Sequence, residues 1–119
     1  MKAPPASVVM HGQPAHGRYA GRLARIDWSG LQPRPGRLWR ALHHKRWHYV
    51  GLGHAEVFIG VAIVDVGWAC SAFAYLFDRR TGQLRADWTQ DGVARLQAQV
   101  SDAPLAGAAC GFRGPGARL

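Results

Sequence analysis

Between residues 46 and 88 the chain alternates. Arg46, His48, Val50 and Leu52 fall in one phase, and Trp47, Tyr49 and Gly51 in the other. A period of two sends successive side chains to opposite faces of a sheet, so 46–52 predicts a strand. "GHAE", 53–56, is a Gly-containing link of hairpin length. Residues 57–65 and 70–78 predict a second and a third strand. In the third, Phe73, Tyr75 and Phe77 share a phase opposed to Cys70, Ala72, Ala74 and Leu76. "DRRTGQ", 78–83, predicts a turn, because Asp78 can bond the backbone ahead of it and Gly82 takes a positive φ cheaply. "LRADW", 84–88, resumes the alternation with Leu84, Ala86 and Trp88 in phase. Consecutive strands with short links predict an antiparallel β-meander of four strands, or five.

The flanks are less regular. Residues 1–17 are rich in Pro, Gly and His and predict a disordered segment. A weak strand pattern covers 18–28, and "SGLQPRPG", 29–36, is punctuation. Residues 37–46 fit a short helix or a lead into the next strand, and 93–100 a helix or a last strand. The domain is therefore expected at 18–100, ahead of an irregular Gly/Ala-rich tail at 101–119.

Residues 57–77 hold one charge, Asp65, in a window long enough to span a membrane. Ten Val, Ile, Leu or Phe residues contribute roughly −3 to −6 kcal/mol to insertion, against about +3 for a central Asp. Energetics alone leave this balanced. The break at "DVGW" and the aromatic alternation after it favour two soluble strands over a span. No secretory signal is recognisable in the first residues, and the expected compartment is the cytoplasm.

Charge changes the picture only modestly. The formal net charge is +8. Nine Lys or Arg against two acids put +7 on residues 1–60, and six against five put +1 on the remainder. Such asymmetry suits a phosphate-bearing partner. Thirteen Arg and two Lys amid abundant Ala and Gly also fit GC-rich coding, so nucleic acid is the less favoured partner. Cys70 and Cys110 show no zinc spacing, and His43, His44, His48 and His54 lack the Glu of a zincin helix, so no metal or cofactor is expected. Asp65 and Asp78 bracket the aromatic strand. Their places beside turn residues favour turn stabilisation; a general acid acting on a held ligand is the alternative.

The stretch "KRWHYVGL" through "EVFIGVAIVDVGWACSAFAYLFDRRTGQL" resembles the N-terminal portion of domain-of-unknown-function family 2804. The resemblance rests on Lys45, Arg46, Trp47, Tyr49, Gly67, Phe73, Tyr75, Asp78, Arg79 and Thr81, and more loosely on "GRYAGR". It implies a mainly β, lipocalin-like antiparallel fold with no established activity, catalytic residue or cofactor. It also implies a longer chain, so the strands here make a partial barrel with an open edge prone to self-association. By that analogy the expected function is binding of a small apolar ligand, with Trp47, Tyr49, Phe73, Tyr75 and Asp65 as candidate lining residues. The alternatives are an enzyme using a buried carboxylate and a basic module for RNA or single strands.

Overall fold

The computed structural model describes residues 1–34 and 36–119; Pro35, within the 29–36 punctuation, lies outside them. In chain order the elements are β1 (Val9–Met10), β2 (Gln13–Pro14), α1 (Arg37–His43), β3 (Arg46–Gly53), β4 (Val57–Asp65), β5 (Ala69–Asp78), β6 (Gln83–Val93), β7 (Ala98–Val100), β8 (Cys110–Gly114) and β9 (Ala117–Arg118). The chain divides into two compact units. One comprises residues 1–40 and 101–109, the other 41–100 and 110–119.

The larger unit is built on the expected meander. An antiparallel sheet runs β3-β4-β5-β6 in sequence order. Register couples Tyr49 to Ala62 and Ala62 to Phe73, while Gly51, Gly60 and Tyr75 form the next row. The apolar segment 57–77 is β4, a turn and most of β5. No helix among the described residues is long and apolar enough to cross a membrane. β6 is longer than the alternation of 84–88 predicts. A register shift between Leu76 and Phe77 sets Leu84 opposite Phe77 and Ala86 opposite Leu76. The expected common phase of Leu84, Ala86 and Trp88 is thereby broken: a bulge at Arg85 moves Leu84 to the other face.

β7, β8 and β9 form a second antiparallel sheet, in which Ala98 faces Phe112 and Val100 faces Cys110. The tail, expected to be irregular, thus contains two strands. Neither sheet of this unit closes into a barrel. Ile63, Cys70 and Ala72 from one side of the large sheet pack with Ala94, Ala98, Val100 and Phe112. Phe112 is fully buried and meets Trp88 edge-on, with ring centroids 6.2 Å apart. Residues 93–100 form no helix; they pass through a turn, with Arg95 at φ 67, into β7. Gly67, at φ 97, shapes the β4–β5 turn, and a Cβ there would lie 2.6 Å from the Leu42 carbonyl carbon. Only glycine lets the end of α1 approach so closely.

The smaller unit carries little regular structure. The segment 1–17 holds the β1–β2 hairpin, whose two-residue loop, His11 and Gly12, has positive φ at both positions. The weak strand pattern at 18–28 forms no strand; Tyr19 makes an isolated bridge with Lys2. Ile26 N–H donates to the Asp102 carbonyl (3.0 Å), and Arg25 pairs with the Asp102 carboxylate (3.3 Å).

Candidate ligand-binding face

Cross-strand partners share a face, so the register sorts the large sheet into two surfaces. One carries Arg46, His48, Val50 and Leu52 of β3, then Ile63 and Asp65 of β4, Cys70 and Ala72 of β5, and Trp88 and Gln90 of β6. This surface contributes the core. The other carries Trp47 and Tyr49 of β3, Phe58, Gly60 and Ala62 of β4, Phe73, Tyr75 and Phe77 of β5, and Asp87, Thr89 and Asp91 of β6. It is a field of rings with small residues between them.

The small residues explain how the rings lie. Tyr75 is the direct partner of Gly60, and a Cβ built on Gly60 would run into the Tyr75 ring. With no side chain beneath it, that ring crosses β4 and brings its hydroxyl to the Tyr49 hydroxyl of β3, 2.9 Å away. Gly51 is covered in the same manner, since a Cβ there would lie 2.9 Å from Cζ of Phe58. Phe58 and Tyr75 stand 6.1 Å apart with their planes tilted by 34°. Ala62, between Tyr49 and Phe73 in the row, is buried. The hydrogen bond to Tyr75, aided by burial, holds the Tyr49 phenol above its ordinary pKa. The face is nevertheless open to solvent, with Trp47 70% and Tyr49 46% exposed.

Four of the five candidate lining residues therefore gather on one surface: Trp47, Tyr49, Phe73 and Tyr75. Asp65 lies on the opposite one. It is 2% exposed, accepts from Arg46 Nη2 (3.1 Å), and its Oδ1 accepts the Gly67 N–H (2.8 Å). Its carboxylate joins the β3 edge to the β4–β5 turn. Asp78 has the turn role as well. Oδ1 accepts the N–H groups of Arg80 and Thr81, while Oδ2 takes Arg85 at 2.7 Å. The Arg85 guanidinium, followed by the Thr81 N–H, lowers the Asp78 pKa to about 2.

Other candidates are less gathered. Among the described residues no group of three His, Cys, Asp or Glu is placed to hold a metal. Both cysteines are free thiols; burial, chiefly, raises the pKa of Cys70. Of the basic residues in the first half of the chain, Arg25 is paired with Asp102, and Arg46 with Asp65 on the face away from the rings.

Two features escaped the sequence. The first is a cavity of about 310 Å³ within the smaller unit, lined by Pro4, Pro14, Tyr19, Leu23 and Trp28 among others. Nothing periodic in residues 1–28 signals it. The second is the pair of carboxylates on the ring face. Asp87 and Asp91 are four positions apart in a strand, a spacing that puts them on one side, but the alternation that predicts β6 ends at residue 88.

Residues 3–117 match the family described as a domain of unknown function, DUF2804. No curated protein and no solved structure matches the chain.

Proposed function

This chain belongs to the DUF2804 family, and on that premise we propose that it binds a small, largely apolar ligand on the aromatic face of the β3–β6 sheet, as a lipocalin-like sheet would. The observation that carries the reading is the exposed ring field. Trp47 and Tyr49 stand open to solvent beside Phe73 and Tyr75, and the Tyr49–Tyr75 hydroxyl pair fixes two of the rings. Apolar and aromatic side chains with a few placed polar groups are the ordinary lining of a ligand site. An exposed aromatic face of this kind otherwise costs solubility without return. Catalysis through Asp65 is the weaker reading, because that carboxylate is bonded to Arg46 and Gly67 on the other side of the sheet.

A titration of the intact chain with the neutral fluorophore N-phenyl-1-naphthylamine tests the proposal. Saturable fluorescence enhancement is expected, and Trp47→Ala should weaken it about tenfold, on the order of one lost aromatic contact. Trp28→Ala, which opens the cavity of the smaller unit, should leave it unchanged. No enhancement, or enhancement that follows Trp28 and ignores Trp47, would overturn the reading.

A further inference from the structure

We infer that the ligand of the aromatic face is an organic cation, an amine or quaternary ammonium joined to an apolar body. The inference rests on the preceding reading and adds the sign of the ligand's charge.

The chain has fifteen Lys and Arg against seven Asp and Glu, and six His besides. Yet no Lys, Arg or His occupies a ring-face position on any of the four strands. The ring face holds Asp87, opposite Tyr75, and Asp91, opposite Ser71, with Thr89 opposite Phe73 between them. The nearby cations are turned elsewhere. Arg46 is on the core face with Asp65, and Arg85, the extra residue of the bulge, is bonded to Asp78. Asp65, Asp78 and Asp102 each pair with an arginine. Asp87 and Asp91 are exposed and have no ion-pair partner among the described residues. A chain of charge +8 has thus kept one face free of cations and left two carboxylates unneutralised on it.

Ring faces carry negative electrostatic potential and attract a cation within about 6 Å of the centroid, most strongly at Trp and Tyr. Three strand spacings of about 4.8 Å separate β3 from β6. The Tyr75 ring already covers β4 and its residue is the direct partner of Asp87, so a ligand lying over the Tyr49 and Tyr75 rings brings its head to the Asp row. The carboxylates and rings act in the same sense on a cationic head, and both oppose an anion such as a phosphate or fatty carboxylate. Rings alone would accept any apolar molecule; the Asp row supplies the discrimination.

The test compares phenyltrimethylammonium with tert-butylbenzene, its uncharged carbon isostere, at equal sub-saturating concentration. Amide and indole shifts of the isotopically labelled full chain serve as the readout. The cation is expected to bind about tenfold more tightly, as cation–π attraction and two exposed carboxylates together supply. Its shifts should centre on residues 47–49, 73–75 and 87–91, and Asp87→Asn with Asp91→Asn should erase the preference while leaving the spectrum dispersed. Equal binding of both probes at this face would overturn the cation assignment and leave the apolar-ligand reading standing. A cation preference that survives the double substitution would also overturn it. Shifts confined to other residues, or none with either probe, would overturn both.

Discussion

Asp78 stands where β5 gives way to the turn, and its carboxylate has been made a strong acceptor by the groups around it. Arg85 and the turn N–H groups stabilise the ionised form, so its pKa falls from an ordinary 3.8 to about 2. A carboxyl whose folded pKa is depressed contributes stability above its unfolded value and loses that contribution as pH falls through the folded one. The urea midpoint should therefore drop as pH goes from about 4 towards 2. Asp78→Asn, which keeps an oxygen for the Arg80 and Thr81 N–H groups, should flatten that limb. An identical acid limb in the variant would exclude Asp78 as its source. The turn function of Asp78 was legible because an Asp–x–x–x–Gly spacing states its own local hydrogen bonds. Asp65 was only half legible. Its bond to Gly67 is two residues away, whereas its partner Arg46 is nineteen residues away and its burial depends on a sheet that no local pattern encodes.

At the scale of elements, β3, β4 and β5 were readable because each buries one phase of a period-two pattern. β6 was legible as far as Trp88, and its bulge was not, since one extra residue leaves no mark in composition. The β1–β2 hairpin was missed because two residues a side give alternation nothing to repeat. The two outer strands of the large sheet are protected unequally. β6 carries Arg85, Asp87 and Asp91 and a bulge, devices that discourage pairing with another chain. β3 has no charged residue after Arg46, and Val50 and Leu52 are 44% and 63% exposed along it. Its outer backbone groups offer a template for a second copy. Sedimentation velocity should accordingly show association that rises with concentration, and Leu52→Lys should suppress it. Leu52 lies on the face away from the rings, so probe binding should be unaffected. A wild-type chain that sediments as one monomer over the whole concentration range would dismiss the β3 edge as an interface.

At the scale of the whole molecule, each unit is assembled from two separated stretches of chain. Residues 101–109 complete the smaller unit and 110–119 the larger, so neither is a contiguous block. A boundary sought along the sequence is therefore sought in the wrong form. The tail shows why such pairing is hard to anticipate: "CGFRG" has one large apolar residue among glycines, yet Phe112 is the largest fully buried side chain. Its burial is decided by β7 and by Ile63, Cys70 and Ala72. This connectivity makes the last residues part of the fold of the sheet that carries the ring face. A chain of residues 41–119 should keep dispersed amide resonances and one cooperative urea transition. A chain of residues 41–100 leaves the Ile63, Cys70 and Ala72 surface without β8 and should lose both. Phe112→Ala within 41–119 isolates the side chain from the strand, and should cost about 3–5 kcal/mol, as emptying a buried aromatic site does. If residues 41–100 unfold as cooperatively as 41–119, the meander is self-sufficient and the tail strands are a covering rather than a part of its core.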